Sequence, residues 1–268
     1  MPTPAAPDDP QRVLITGASS GIGFELARQF AEHGFDLLVN AEDPTIDTAA
    51  ARLRSSGTAV SGFQADLRTT AGVDALWDAV QATDRPLAAA ALNAGVGKGG
   101  PFVENDLDEE LSIVDLNVRS TVVLAKHVLR DMAARGEGRV LFTSSIASTM
   151  PGPHQAVYNA SKSFVQSFAE ALAEELRDTG VTVTSLMPGP TDTEFFERGD
   201  LTDTKLGQGP KDDPAQVAKQ GFDALMAGET KVLGGSVMSK TQAVVNSVLP
   251  DKLKAKGHAK MAEPGSAG

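Results

Sequence analysis

Cysteine is absent from the 268-residue chain, which excludes disulfide bonds, thiolate catalysis and metal sites with cysteine ligands. We expect no bound metal. Long apolar runs are also absent, since no stretch approaches the roughly 20 apolar residues of a membrane-spanning helix. The opening segment, residues 1–10, is rich in proline and aspartate and lacks the apolar core of a signal peptide. We therefore expect a soluble, cytoplasmic protein.

Positive charge is scarce. The chain has 24 lysines and arginines against 35 aspartates and glutamates, which gives a net charge of -11. This balance argues against a nucleic-acid groove or an anionic membrane surface as the main partner. Hydrophobic residues make up 41% of the chain, which is typical of an ordinary globular protein. We expect neither a nucleic-acid partner nor a membrane partner.

Short apolar runs alternate with longer amphipathic segments along the chain. The short runs predict strands at Arg12–Thr16, Asp36–Asn40, Val60–Ala65, Leu87–Leu92, Arg139–Thr143, Val181–Met187 and near Lys231–Leu233. The amphipathic segments predict helices at Gly21–His33, from Asp43-Pro44 to about Ser56, and at Thr70–Ala82, Asp106–Arg135, His154–Thr179 and Pro214–Met226. Strands that are apolar on both faces and are joined by helices indicate an α/β fold. We expect a single Rossmann-like, doubly wound parallel sheet of about seven strands with helices on both faces.

The composition shows no break that would separate two domains. We expect a disordered N-terminal segment at residues 1–10, one Rossmann-like domain at residues 11–250 and a C-terminal tail at residues 251–268. Within the domain, residues 189–213 are rich in Gly, Pro, Thr and Asp, which is typical of a lid or binding loop.

Three glycines lie between the first predicted strand and the first predicted helix. Gly17, Gly21 and Gly23 have the spacing G-x-x-x-G-x-G and not the commoner G-x-G-x-x-G. Glycine at such a junction permits a tight turn and a close approach of the backbone to a pyrophosphate. The N-terminus of the following helix offers free N–H groups to the same phosphates.

Tyr158 is the only tyrosine in the chain, and Lys162 follows it by four residues. This spacing puts a phenol and an ammonium on one helical face. A free phenol has a pKa of about 10, and a fixed positive charge nearby should lower that pKa. Without further motifs, a surface Tyr–Lys pair would explain the pattern equally well.

Ser145 ends the fifth predicted strand and precedes Tyr158 by 13 residues. With the glycine spacing, this pattern resembles the common single-domain branch of the short-chain dehydrogenase/reductase family. The resemblance implies an enzyme that transfers a hydride between a nicotinamide cofactor, NAD(P), and a carbonyl or alcohol substrate. It implies that Ser145 bonds the substrate oxygen and that Tyr158 is the general acid/base. Lys162 would lower the pKa of Tyr158 and hold the nicotinamide ribose, while Ser144 has a capping or packing role.

Further motifs follow in the order that the family has them. Asn117 matches the helical asparagine of the family's catalytic tetrad, where it anchors a water that links the lysine to solvent. Asn93-Ala94-Gly95 matches a motif that lies along the cofactor. Pro188-Gly189-Pro190-Thr191-Asp192-Thr193 matches a motif whose last threonine contacts the nicotinamide carboxamide, and Asp66 matches an acidic residue that meets the adenine amino group. The implied cofactor-binding residues are Gly17, Ser19, Ser20, Gly21, Ile22, Gly23, Ala41, Glu42, Asp66, Leu67, Asn93, Ala94, Gly95, Tyr158, Lys162, Pro188, Gly189, Thr191 and Thr193.

The end of the second strand bears on the choice of cofactor. Family members that prefer NAD usually have aspartate at the position of Ala41, and this chain does not. Members that prefer NADP often have arginine at the position of Glu42 or a basic residue at that of Ser20, which are also missing. Glu42 and Asp43 would repel a 2′-phosphate, although Asp43 could instead cap the following helix. We expect a slight preference for NAD.

The resemblance also implies where substrate and partner subunits bind. The substrate pocket should be lined from residues 96–102, residues 146–154 and the loop around Phe195 and Phe196, but the sequence does not identify the substrate. His154 would contact the substrate or, more simply, pack at the surface. Family members pair through their two long helices, so we expect a homodimer or homotetramer.

The lysine-rich tail combines basic and apolar residues, which are Lys240, Val244, Val245, Val248, Leu249, Lys252, Lys254, Lys256 and Lys260. The pattern fits an amphipathic helix at a membrane surface or partner. A C-terminal helix docked at a subunit interface is the simpler interpretation.

Two other functional classes remain open from the sequence. One is a dinucleotide-binding sensor or scaffold without turnover, against which the intact tetrad argues. The other is an isomerase or lyase built on the same cofactor site, since such relatives often keep the Tyr–Lys pair.

Overall fold

A computed structural model gives the fold and describes residues 10–241 and 249–267. Within these residues, seven parallel strands form one sheet in the order β3-β2-β1-β4-β5-β6-β7. The strands are β1 Arg12–Thr16, β2 Asp36–Ala41, β3 Val60–Gln64, β4 Leu87–Leu92, β5 Gly138–Thr143, β6 Val181–Pro188 and β7 Lys231–Gly234. The predicted Rossmann-like sheet is confirmed.

Helices cover both faces of this sheet. They are α1 Gly21–Glu32, α2 Thr45–Leu53, α3 Thr70–Gln81, α4 Leu107–Ile113, α5 Thr121–Arg135, α6 Ala156–Glu175, α7 Phe195–Arg198, α8 Lys205–Gln208, α9 Pro214–Ala227 and α10 Asp251–Ala262. Short 3-10 turns lie at Arg54–Ser56 and Ile146–Thr149. In the part of the chain that the structure describes, no helix is long and apolar enough to cross a membrane.

The first predicted long helix contains an irregular segment. A π-helical turn, Val114–Ser120, joins α4 to α5 and carries Asn117. The second predicted long helix starts later than expected, because His154 has a left-handed φ of 64° that an α-helix does not allow. Helix α6 therefore begins at Ala156.

Two hydrophobic cores lie on opposite faces of the sheet. Val13 and Ile15 of β1 pack on one face with helices α1, α2 and α9, while Leu14 packs on the other with α3, α5 and α6. Side chains alternate between faces along a strand, and every residue of β1 is buried. This burial on both sides is why the central strands read as continuous apolar runs.

The segments outside the sheet differ from the sequence expectation in one respect. Residues 189–213 hold two short helices, α7 and α8, and a bridge between Thr191 and Asp212, so they are more ordered than a plain loop. Residues 1–9 of the predicted disordered segment lie outside the described residues. Val244, Val245 and Val248 of the tail do so too.

Arg12, at the start of β1, is a buried cation with 9% of its surface exposed. Its guanidinium donates hydrogen bonds to the carbonyl oxygens of Val80 (2.8 Å) and Ala79 (3.3 Å) in the last turn of α3. A cation at a helix C-terminus meets the negative end of the helix dipole and supplies donors to carbonyls that lack them. Arg12 therefore joins the central strand to α3.

Replacing Arg12 by methionine should lower the free energy of unfolding by about 2–4 kcal/mol, because carbonyl groups at the end of α3 lose their donors. Arg12→Lys should cost less, since an ammonium keeps the charge and one donor. Equilibrium unfolding in urea measures both variants. Equal stability of Arg12→Met and the parent chain would contradict this role of Arg12.

Candidate active site

The glycine turn lies at the carboxyl ends of the strands, between β1 and α1. Gly17 and Gly21 have left-handed φ values of 65° and 56°, which favour glycine. At Gly23 a Cβ atom would lie 2.0 Å from the carbonyl oxygen of Gly17. A side chain cannot fit there, so glycine at position 23 keeps the turn in contact with the first turn of α1, and all three glycines line a cleft.

Asn93 ties this turn to the neighbouring strand ends. Its Nδ2 atom donates to the carbonyl oxygens of Thr16 (3.2 Å) and Gly17 (3.3 Å). Its Oδ1 atom accepts from the hydroxyl of Thr143 at 2.9 Å. The ends of β1, β4 and β5 are thereby fixed at the point where the strand order reverses, which is where open α/β sheets bind ligands.

A cleft of about 800 Å³ opens at these strand ends. Every cofactor-binding residue that the sequence predicts lines it, from the glycine turn through Ala41, Glu42, Asp66 and Asn93 to the segment after β6. Ser145 lines it as well, whereas Asn117 does not. Among the described residues, no group of three or more His, Asp or Glu side chains could hold a metal ion.

The structure brings Ser145, Tyr158 and Lys162 together at the inner end of the cleft. Burial raises the pKa of Tyr158 to about 12, opposed by a hydrogen bond with Ser145. Burial also lowers the pKa of Lys162 to about 8. The Nζ atom of Lys162 donates to the carbonyl oxygen of Thr143 at 2.9 Å and lies 6.0 Å from the centre of the tyrosine ring.

The prediction that Lys162 lowers the pKa of Tyr158 stays a prediction, because the groups that set the pKa of this phenol in the structure are its own burial and Ser145. The direction is upward because loss of water around the phenol penalises the charged phenolate. Lys162 is itself buried, and its amino group is engaged by the strand carbonyl of Thr143. At neutral pH Tyr158 is consequently a protonated phenol.

Asn117 approaches Lys162 without bonding to it. Its amide spans the backbone of Val96, accepting from the N–H and donating to the carbonyl oxygen, both at 2.9 Å. It also donates to the hydroxyl of Ser161 at 2.9 Å. A Cβ atom on Gly95 would lie 3.1 Å from the Lys162 Nζ atom and 3.2 Å from the Asn117 Oδ1 atom. The absence of a side chain at position 95 lets the two groups face each other.

The ring of Phe195 packs against the ring of Tyr158. The ring centres of Phe195 and Tyr158 are 5.0 Å apart. A Cβ atom on Gly97 would lie 2.5 Å from the Phe195 ring, so glycine at this position makes room for the contact. The segment after β6 therefore closes one side of the site by aromatic packing.

Comparison with known proteins decides the family. The short chain dehydrogenase family matches residues 11–203, a stretch that contains the glycine turn, Ser145 and the Tyr158–Lys162 pair. The chain belongs to the short-chain dehydrogenase/reductase family. This confirms the resemblance in the sequence and the prediction of an oxidoreductase.

Individual relatives agree with this assignment. A protein of Streptomyces coelicolor, provisionally named a ketoacyl reductase, is 34% identical over 191 residues, which are 70% of this chain and 73% of that protein. The structure of a short-chain dehydrogenase from Sphingobium yanoikuyae in complex with NADPH has a TM-score of 0.79 and 29% identity, over 88% of this chain and 93% of that one. A short-chain dehydrogenase/reductase from Burkholderia phymatum, in complex with NAD, has the same fold, with a TM-score of 0.79 at 24% identity over 89% of this chain and 92% of that one.

One arginine at the outer end of the cleft was not predicted from the sequence. Arg68 forms an ion pair with Glu42 and a second one with Asp66, at 2.9 Å from its Nε atom. The Asp66 carboxylate, which the family resemblance assigns to adenine, is therefore shared with Arg68. Arg68 stands two residues after Asp66 in the sequence. The neighbouring residues, however, do not indicate that its side chain reaches the end of β2.

Helix α10 was also not predicted at the site of this dehydrogenase. Leu253, Lys254, His258 and Met261 line the cleft. Lys254 donates to the carbonyl oxygen of Thr149 at 2.8 Å, and the Nδ1 atom of His258 lies 3.1 Å from that of Pro153. The tail thus forms a wall of the cleft, a role that the interpretation as a subunit-interface helix did not include.

Leu253→Asn should raise KM for a bulky apolar ketone about fivefold, since an apolar contact with ligand contributes roughly 1 kcal/mol. The matched control is Lys252→Asn, at a neighbouring position that does not line the cleft. Steady-state kinetics measure KM, and fluorescence titration should show cofactor affinity unchanged in both variants. Equal KM values for the two variants would argue against α10 as a substrate wall.

Proposed function

We propose that the chain is an NAD(P)-dependent oxidoreductase that interconverts a carbonyl compound and an alcohol, with Tyr158 as the general acid/base. One observation carries this proposal. Ser145, Tyr158 and Lys162 converge in the same cleft that the glycine turn lines. The NADPH and NAD bound by the two solved relatives support the cofactor class.

The residues of the cleft fit a dinucleotide. The glycine turn and the N-terminus of α1 would hold the pyrophosphate, because a Cβ-free backbone and unpaired N–H groups suit phosphate oxygens. Asp66 would lie at the adenine, and Lys162 with Thr193 would hold the nicotinamide end. When bound, the nicotinamide supplies or accepts the hydride.

Tyr158 acts as the acid in carbonyl reduction. With a pKa of about 12, its phenol is protonated at neutral pH and can give its proton to the substrate oxygen. Lys162 has a pKa of about 8 and is mostly an ammonium at pH 7. That charge stabilises the phenolate left after the transfer.

Ser145 orients the substrate oxygen. Its Oγ atom accepts from the N–H of Ala147 at 3.0 Å, so one lone pair is used. Its Oγ atom also lies 3.5 Å from the carbonyl oxygen of Pro188, which is too long for a strong hydrogen bond. The hydroxyl is hydrogen-bonded to Tyr158 in this structure, so a substrate oxygen that takes over this bond would lie beside the phenol and be polarised there.

Tyr158→Phe should bind NADH and NADPH as the parent chain does and lose at least about 100-fold in kcat, since only the transferable proton is removed. A panel of aldehydes, ketones and alcohols with both cofactors measures turnover, and fluorescence titration measures binding. Ser163→Ala, on the same helix and outside the cleft lining, is the control. Normal turnover by Tyr158→Phe would contradict the proposal.

The same panel separates the alternative functions. A silent sensor or scaffold binds cofactor but oxidises none with any substrate. An isomerase or lyase shows turnover without net consumption of NADH or NADPH.

A slight preference for NAD is the finer part of the proposal. Glu42 and Asp43 both line the outer end of the cleft, where a 2′-phosphate of NADP would meet their negative charge. Arg68 could attract that phosphate, but its guanidinium is already paired with Glu42 and Asp66. Arg198, whose charge acts on Asp43, is likewise paired, with Glu194, so the carboxylates at this position outnumber the cations left unpaired.

Glu42→Ala should tighten NADPH binding relative to NADH about tenfold, because it removes a like charge and frees Arg68 for the phosphate. Fluorescence titration of both cofactors at low ionic strength measures the ratio, since salt screens exposed charges. In Glu42→Ala/Arg68→Ala the gain should be smaller, because only the removal of the like charge remains. Tighter binding of NADPH than NADH by the parent chain would overturn the preference for NAD.

Assembly and location complete the proposal. Leu107, Leu111 and Val114 at the start of the first long helix, and Phe164 on α6, are large apolar side chains that are 39–64% exposed. An apolar patch of this kind favours contact with another subunit, which supports a homodimer or homotetramer. The cytoplasmic location rests on the sequence composition alone.

A further inference from the structure

Helix α10 is fastened to the segment between β5 and α6 by two side chains that lie one helical turn apart. The Nζ atom of Lys254 donates to the carbonyl oxygen of Thr149 at 2.8 Å. The Nδ1 atom of His258 lies 3.1 Å from the carbonyl oxygen of Pro153. Since residues four apart share one helical face, a single face of α10 makes both bonds.

The residues after α10 are fastened to the segment that follows β6. The N–H of Gly265 donates to the Asp203 carboxylate at 2.8 Å, and the N–H of Lys205 donates to the hydroxyl of Ser266 at 3.0 Å. Residues 251–267 therefore join two segments that leave the sheet after different strands. We call them the strap, and its helix lines the cleft.

His258 is the titratable group in this attachment. Burial lowers its pKa, the hydrogen bond with the Pro153 carbonyl opposes this change, and the charge of His154 lowers the pKa further. A neutral imidazole with its proton on Nδ1 already makes the bond to Pro153. Protonation would thus add a charge to the interface without adding a bond there.

His154 lies in the segment on which the strap docks, directly after Pro153. Its φ of 64° is left-handed, which is uncommon for a residue other than glycine. Its Nδ1 atom is buried and has no hydrogen-bond partner within the described part of the chain. The structure therefore places a second imidazole close enough to act on His258 and gives its buried nitrogen no acceptor.

The other charges around the strap leave the two imidazoles uncompensated. Lys254, on the same helix, is itself positive and is paired with Asp251 at 2.8 Å. Lys260 follows on the same helix and lines the cleft. Asp203 and Lys205 lie at the other end of the strap, with the residues after α10. Of the groups that shift the pKa of the docked ring, none is a carboxylate.

The direction of the pH dependence follows from the lowered pKa of His258. A histidine released into water has a pKa of about 6.5. Docking is therefore complete above about pH 6.5 and weakens as the pH falls from there towards the lowered pKa of the docked ring. Within that range each pH unit lowers the docking equilibrium by up to about tenfold for one proton.

We propose that the strap is a pH-sensitive latch that closes the cleft at neutral pH and detaches in acid, when protonation of His258 sets its charge against that of His154. Detachment takes Leu253 and Met261 away from the cleft that they line. The latch concerns the attachment of α10 and does not depend on which reaction the cleft carries out.

Hydrogen exchange of the full chain at pH 7.5 and pH 5.5 tests the latch, with each rate divided by the intrinsic rate at that pH. Helix α10 has only 12 residues, and an isolated helix of that length is marginal in water. Detachment should therefore lower the protection of Asp251–Ala262 about tenfold at pH 5.5. Protection of Pro214–Ala227, a helix packed in the core, should stay constant and thereby exclude global unfolding.

Two variants remove one imidazole each. In His258→Asn the side-chain amide can still donate to the Pro153 carbonyl but does not titrate, so the acid-induced loss of protection should disappear. In His154→Asn the loss should become smaller, because the facing charge is removed, and asparagine tolerates the left-handed φ.

Lys254→Gln is the matched control on the same helix. It weakens the strap at both pH values alike and should leave the tenfold difference between them in place. Equal protection of α10 at pH 7.5 and pH 5.5 in the parent chain would overturn the latch, as would an undiminished acid effect in His258→Asn. If His258→Asn already lacks protection at pH 7.5, His154→Asn decides, and an acid effect as large as that of the parent chain would then contradict the proposal.

Discussion

The carboxamide of Asn93, which follows β4, holds the site together, because it is bonded to the ends of both neighbouring strands, β1 and β5. It donates to the carbonyls of Thr16 and Gly17 after β1, and it accepts from Thr143 at the end of β5. The same Thr143 offers its carbonyl oxygen to Lys162. The glycine turn and the lysine beside the tyrosine are thus positioned by one side chain, and their separation follows from strand spacing rather than from loops.

The half of the cleft that the proposal assigns to the cofactor could be predicted from the sequence because its residues occur in short local motifs. Gly17, Gly21 and Gly23 follow a strand directly, and Tyr158 and Lys162 share one turn of one helix. The geometry of each motif follows from the periodicity of the strand or helix in which it lies. The bounds of the strands were predictable for the same reason, since β1 is buried on both faces and reads as an apolar run.

Other features were not predictable, since they depend on contacts between distant segments. Arg68 reaches Glu42 across 26 residues, and Lys254 reaches Thr149 across 105. The rise in the pKa of Tyr158 depends on how much protein surrounds the phenol. The four-residue spacing of Tyr158 and Lys162 does not reveal this burial.

Helix α10 lines the cleft from a part of the chain that lies outside the family match at residues 11–203. Helix α10 is attached by Lys254 and His258 to the backbone carbonyls of Thr149 and Pro153, and the N–H of Ala267 bonds the carbonyl of Asp203 at 3.0 Å. Bonds to backbone carbonyls do not depend on which side chains the partner segments carry. A substitution at Leu253 or Met261, which line the cleft, therefore leaves these attachments in place. The groups that the proposed chemistry uses lie at the strand ends, whereas these two side chains lie on a segment whose attachment does not use them.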